Sequence, residues 1–423
     1  MNSLRLEEEK KAVLFLQKKN QKNSCLTPAF ERPNCGRSKA MGIKSFLLLF
    51  FKKEVLACLF LCSAPAYADA LRPAIAAPLQ AAERYLSEGE YGMAEKKLSQ
   101  AEAVPGKSAD ESFTIGQVRA AIDSGRHDYA AAASDYAALI GSGELGPDQV
   151  SLMAEAEASD DYQAGDYGGA IRTIKAYLPG DPRFTPILLQ SYLKTNDCAA
   201  LDAYVSRQAR PAEANLQMAA YCDATTKNDA AYQAMIEKLV RYYPSPAYWT
   251  QLLGLAQSNP AFSDQLALDF FRLKLAAGVA ATEPEYMDMA QTALQGGLPN
   301  EAAKIMAQGF ATGVLGSGPD AARQARLKAL VQQRQTAAAA VDDDAASKFL
   351  AGFNQVDGGN SAGLGPMADA IRSGDLAQPG QAELELGIAY DEAGQRANAK
   401  AMFAAVQGGD GAADLARLWS DLK

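Results

Sequence analysis

One histidine serves a chain of 423 residues, and only two tryptophans accompany it. His127 lies in "SGRHDY" with no Cys or carboxylate at ligand spacing, so a histidine zinc site has no ligand set and the residue reads as a solvated turn. A serine triad would need a histidine downstream of its nucleophile, and none follows the Ser-containing motif near residue 361. No G-x-x-x-x-G-K-[ST] is present, which removes the P-loop. Aromatics are 8% and long β-branched runs are missing, which argues against extended sheet. What is there instead is alanine. Hydrophobic residues reach 48%, much of it Ala, a helix-forming composition with small side chains available for close contacts.

The N-terminus reads as an export signal. From Met41 the chain runs "MGIKSFLLLFFKKEVLACLFLCSAPAYA", with Lys44, Lys52 and Lys53 before the apolar segment Val55 to Cys62, and Ala66-Tyr67-Ala68 supplying an A-x-A cleavage site. The apolar stretches are broken by Lys52-Lys53-Glu54 and fall short of the ~20 residues of a spanning helix. Met41 is the expected start, residues 1–40 being an over-long extension; a long natural n-region from Met1 is the alternative. The first 68 residues hold 12 Lys or Arg and 5 Asp or Glu. Cleavage after Ala68 therefore leaves 29 basic and 45 acidic groups, a formal charge of −16 against −9 for the whole chain. Such a surface repels nucleic acid and anionic lipid. The expected location is the periplasm.

A spacing recurs along the remainder. Taking Ala399 as origin, Tyr390 lies nine residues before it, Gly387 twelve, Leu386 thirteen, and Phe403 four after. Ala302 has Ala293, Ala290, Met289 and Met306 at the same offsets; Ala94 has Tyr85, Ala82 and Leu98; Ala170 has Ala158 and Ile174. Pairs of antiparallel helices explain it, with small residues where two backbones approach and large ones filling the gaps. Gly89, Gly125, Gly165, Asn196, Asn228, Gly297, Gly358 and Gly394 fall between helical patterns, as C-cap residues do.

This spacing resembles the tetratricopeptide repeat, W-x2-L-G-x2-Y…A-x3-F…P over 34 residues. Leu386-Gly387-x2-Tyr390…Ala399-x3-Phe403 and Trp249-x2-Leu252 after "RYYPSP" carry the resemblance best. It implies an all-α superhelical solenoid of about eight or nine helical pairs. Residues 69–316 form the main run of repeats, 317–379 degenerate repeats with acidic and Gly-rich loops, and 380–423 a final unit with a capping helix. The stretch 240–420, with "YYPSPAYWTQLLGLAQ", is also similar to periplasmic repeat proteins of TonB-type energy-transducing systems.

Two literal motifs are discounted by context. Gly359-Asn360-Ser361-Ala362-Gly363 has the G-x-S-x-G form, and Gly141, Gly143 and Gly146 the G-x-G-x-x-G form, but both sit between helical patterns rather than after a strand. Asp342, Asp343 and Asp344 read as a helix break whose acids start the next helix, since a calcium loop would need a Gly and a terminal Glu that do not follow. Of six cysteines only Cys198 and Cys222 survive cleavage. The repeat places them at the same end of neighbouring pairs, so a disulfide between them stands beside two separate buried thiols as the reading.

No residue set supports catalysis, and no cofactor or metal is expected. The concave face of a solenoid suits an extended peptide or a partner helix. Counted from the repeat, Glu83, Tyr162, Gln291, Asp391 and Glu392 face that groove. The expected function is a non-catalytic protein-interaction module of the periplasm binding a protein or peptide partner in the envelope, without a membrane span. The second resemblance implies a TonB-linked complex. The alternative is an assembly or scaffold factor for outer-membrane, polysaccharide-export or cell-wall machinery.

Overall fold

The computed structural model describes residues 71–336 and 342–422, which form twenty α-helices and two short 3-10 turns with no strand among the described residues. The readings made on 1–40, on the signal at 41–68 and on cleavage after Ala68 lie outside the described residues. No described helix is long and apolar enough to cross a membrane. The chain divides into two compact units at Gln208–Ala209, inside the stretch 69–316 that presents itself in sequence as one run of repeats.

The N-terminal unit contains α1 (Pro73–Ser87), α2 (Tyr91–Glu102), α3 (Ala109–Gly125), α4 (Tyr129–Gly141), α5 (Pro147–Ala164), α6 (Tyr167–Tyr177), α7 (Thr185–Lys194) and α8 (Cys198–Ser206). The C-terminal unit contains α9 (Glu213–Thr226), α10 (Asp229–Tyr242), α11 (Pro246–Ser258), α12 (Ala267–Ala276), α13 (Glu283–Gln295), α14 (Pro299–Ala311), α15 (Ala321–Thr336), α16 (Ala345–Asp357), α17 (Leu364–Ser373), α18 (Pro379–Glu392), α19 (Arg396–Ala405) and α20 (Ala412–Ser420).

The recurring spacing has a direct structural meaning. Ala94, Ala170, Ala302 and Ala399 are each the fourth residue of the second helix of a hairpin, and each is at most 2% exposed. Twelve residues earlier, on the first helix, stand the fully buried Ala82, Ala158 and Ala290 and the buried Gly387. At Gly387 a Cβ would fall 2.4 Å from the Phe403 ring, so the glycine and the phenylalanine of the motif are one contact. Two further hairpins obey the rule: Ala132 with Ala120, and Leu201 with Leu189. In the latter, leucines replace the alanines, which is why residues 185–215 match the repeat poorly.

The turns are also built alike. A left-handed residue is followed by a residue near φ −85°, ψ 65°, as in His127-Asp128 and Asn196-Asp197. The amide of that second residue donates to the carbonyl five residues back: Glu90 to Tyr85, Asp128 to Asp123, Asp197 to Tyr192, Asn228 to Asp223, Leu298 to Ala293 and Gln395 to Tyr390, all at 2.8–3.0 Å. This is a Schellman closure running straight into the next N-cap. Three expected caps move by one or two residues for this reason. Gly125 ends α3 with His127 as the left-handed residue; Asn228 caps the start of α10 while Lys227 turns left-handed; and Gly359, not Gly358, has positive φ. Gly125 is instead required by packing, since a Cβ there would meet the Tyr91 ring at 2.4 Å.

The discounted motifs fall where their context put them. Gly141 ends α4 and Gly146 caps α5. Ser361–Gly363 is a 3-10 turn between α16 and α17. Asp344 caps α16, its carboxylate accepting from the Ser347 amide at 2.9 Å.

The two units use these hairpins differently. In the N-terminal unit the core is three apolar clusters in series, each drawn from three successive helices: α1–α3 around Leu79 and Ile115, α3–α5 around Tyr136 and Met153, and α5–α7 around Ile174 and Phe184. In the C-terminal unit the chain also comes back on itself. Helix α20 packs on α12, the Ser263 amide donates to the Asp410 carbonyl at 2.8 Å, and Arg241 of α10 bonds Asp421 at 3.0 Å. At the return Gly411 has φ 103°, and a Cβ there would sit 2.7 Å from Phe262. Cys198 and Cys222 are both buried and both disulfide-bonded.

Candidate functional site

The C-terminal unit collects charge where four of its helices converge. Asp269 and Arg272 stand one turn apart on α12, Glu301 and Lys304 one turn apart on α14, Phe353 and Asp357 one turn apart on α16, and Gln381, Glu385 and Glu392 along α18. Helical spacing puts each set on one face. The Arg272 guanidinium is only 8% exposed and every donor it aims inward is used. Its Nε and Nη2 fork onto both oxygens of Glu301 at 2.6 Å, and its Nη1 donates to Asp269 at 2.5 Å and Glu385 at 3.1 Å. Its face lies 4.6 Å from the centre of the Phe353 ring, a cation–π contact. Gln381 completes Asp269 through a 3.0 Å hydrogen bond. Alongside, Lys304 bridges Asp357 at 2.8 Å and Glu392 at 2.9 Å.

Five carboxylates thus share two cations, and their acidities reflect it. Burial pushes the Glu385 carboxyl up to about 8, with the Asp269 charge adding to the effect. Burial likewise raises Asp357 to about 6, reinforced by Glu392. Asp269 is raised mainly by burial, against the pull of Arg272. Burial works against the charge of Arg272, but the Glu301 and Asp269 carboxylates outweigh it and hold it protonated.

Beside this cluster opens a cavity of about 280 Å³, lined by Phe271, Leu275 and Ile305 on its apolar side and by Glu301, Asp357, Asp391 and Glu392 with Arg272 and Lys304 on its charged side. A second cavity of about 430 Å³ adjoins it, sharing Ala276, Asp391 and Trp419, and carries Arg241, Arg396 and Lys400. The pair forms one cleft with an acid-rich arm and a base-rich arm, of a size suited to a few side chains. Two buried polar atoms of residues that line it have no hydrogen-bond partner in the protein: Oδ2 of Asp357 and Nε1 of Trp419, in residues 9% and 7% exposed. Trp419 is stacked on Phe403 at 6.1 Å, so its ring is fixed by the last hairpin.

Of the five residues counted onto a groove, the structure brings two together. Asp391 and Glu392 line the acidic arm. Glu83 is half-buried on α1, and burial raises its carboxyl. Tyr162 on α5 is half-buried and packs edge-on against Tyr167 at 5.4 Å beside an apolar cluster. Gln291 on α13 donates to the Met287 carbonyl of its own helix at 2.8 Å. Arg272, Lys304, Asp357 and Trp419 were not singled out in the sequence. One signal was available: Asp269 and Arg272 interrupt an apolar run from Leu266 to Leu275, where a buried helix face carries no unpaired charge at random. Among the described residues no group of His, Cys, Asp and Glu is arranged to hold a metal ion, and His127 is an exposed turn residue whose Nδ1 pairs with the Tyr129 hydroxyl at 2.6 Å.

No family model, no curated protein and no solved structure matches this chain.

Proposed function

We propose that this chain is a non-catalytic interaction module of the periplasm, a tetratricopeptide-like solenoid of eight or nine helical pairs that holds a peptide or helix of an envelope partner. The observation that carries the reading is the pair of adjoining cavities in the C-terminal unit, whose walls combine apolar side chains, acids and bases. An amphipathic segment complements such a surface by burying its apolar side chains and pairing its charges at the rim. The acidic surplus of the mature chain favours a basic or amphipathic partner, so binding weakens as salt rises. Asp391 and Glu392 are the contact residues in this reading, and the partner belongs to a TonB-linked energy-transducing complex.

The test is a photo-crosslinking amino acid placed at Lys400, an exposed residue lining the cleft, followed by mass spectrometry of adducts from the envelope fraction. Adducts with inner-membrane energy-transduction subunits support the TonB-linked adaptor. Adducts with export or wall-synthesis components favour the assembly role. Adducts from Glu83 or Tyr162 but none from Lys400 would move the contact face to the N-terminal unit.

A further inference from the structure

Positive charge stands unanswered along α15. Its 16 residues hold Arg323, Arg326, Lys328 and Arg334 and no acid, on a chain whose formal charge is −9. Outside α15 every described arginine except Arg207 and Arg210 reaches a carboxylate within 4.0 Å. Among the described residues Arg323, Arg326 and Arg334 reach none, Asp320 just before the helix included. Lys328 is spent on the Phe310 ring, 4.5 Å from its centre. The roll of the helix is fixed. It packs on α13 and α14 with Leu327 and Val331 buried, and the fully buried Gln324 accepts from the Gly316 amide and donates to Glu283, both at 2.6 Å. With that face inward, Arg323, Arg326, Leu330 and Arg334, spaced by three, four and four, form one exposed stripe about 16 Å long. Leu330 stands in it 41% exposed, between the arginines.

We propose that this stripe docks an acidic amphipathic helix of a protein partner, whose Glu or Asp side chains meet the three guanidinium forks while one apolar side chain packs on Leu330. Arginine takes a carboxylate bidentately, and such pairs strengthen when a partner excludes water around them. An anionic bilayer fits the stripe less well. A helix that lies in a bilayer sinks a continuous apolar face into it, and the apolar face of α15 is already buried in the fold. The acidic surplus of the chain repels an extended anionic sheet, whereas a partner helix meets only the stripe, within a screening length of about 8 Å. No residue of the stripe lines either cavity, so this surface stands or falls apart from the peptide cleft.

The probes are two labelled alanine-based helical peptides of about twenty residues, one with a stripe of glutamates around a leucine and one with glutamines in their place. Each is titrated with the purified chain and followed by fluorescence anisotropy. The glutamate peptide is expected to bind about tenfold tighter at low salt and to lose that advantage in about 0.5 M salt. Arg323→Gln, Arg326→Gln and Arg334→Gln together are expected to erase the preference, and since all three side chains are exposed the fold survives the change. Lys96→Gln, Lys175→Gln and Lys194→Gln together remove the same charge from exposed positions elsewhere and should leave the preference intact. Leu330→Ala should weaken the glutamate peptide about threefold. Equal binding of the two peptides, a preference that the arginine variant keeps, or one that the lysine variant loses overturns the surface. Arginine-dependent binding to phosphatidylglycerol vesicles without a peptide preference overturns it in favour of a membrane contact.

Discussion

The buried acids on α5 of the N-terminal unit and those around Arg272 in the C-terminal unit are handled in opposite ways. In the C-terminal unit a forked arginine gathers Asp269, Glu301 and Glu385 into one network across three helices. In the N-terminal unit Asp160 and Asp161 are buried on α5 with no arginine bonded to them. Asp160 accepts only from the Ser124 hydroxyl at 3.1 Å, and its other oxygen has no partner. Burial raises both carboxyls to about 7. The difference follows from connectivity. Helices stacked in series offer a buried acid only its immediate neighbours, whereas a chain that returns brings α12, α14, α16 and α18 to one point.

The largest test of this contrast is Arg272→Met. It strands three carboxylates, and the C-terminal unit should lose about 3–5 kcal/mol, read as faster amide exchange in α12, α14 and α18 with α1–α3 unchanged. The matched change in the N-terminal unit, Arg183→Met, breaks a 47% exposed arginine's pairs with Glu155 and Asp181 and should cost under about 1 kcal/mol. Similar losses at the two positions would mean that burial does not separate the networks.

The next effect is one of pH. A carboxyl raised from its ordinary value to about 7 binds its proton more tightly folded than unfolded. Its contribution is therefore present at pH 4 and lost as pH rises through 7. The N-terminal unit should weaken between about pH 4 and pH 7, and Asp160→Asn should flatten that slope by about 2–4 kcal/mol, measured by urea unfolding at each pH. An unchanged slope would show that Asp160 stays ionised in the fold. Glu385 works in the same direction up to about 8 in the C-terminal unit.

Smaller again is Gly387→Ala. The new methyl meets the Phe403 ring and should cost about 1–3 kcal/mol, visible in the melting of the last hairpin. Gly141→Ala, in the N-terminal unit at a helical position with no atom within 4 Å of the new methyl, should be neutral within about 0.5 kcal/mol.

Much of the architecture was legible because it is local. The offset of twelve between small residues spans one turn of chain, so Ala82 with Ala94 and Ala290 with Ala302 announce their hairpins without any knowledge of the rest. Asp344 was readable as a helix start for the same reason. The turn residues were readable only to within one or two positions, since His127 and Lys227 take left-handed geometry that the pattern assigns to Gly or Asn. The site was barely legible. Glu301 is 29 residues from Arg272, Glu385 is 113, and Asp421 is 180 from Arg241.

The sequence by itself determined the helical hairpins, their close-packed small residues and the acidic surplus, because each depends on neighbours along the chain or on composition alone. Tertiary structure decided which charges meet. Whether Arg272 faces three carboxylates or solvent depends on α14 and α18 coming to lie beside α12. A repeat period encodes the next helix and carries no record of a contact a hundred residues away.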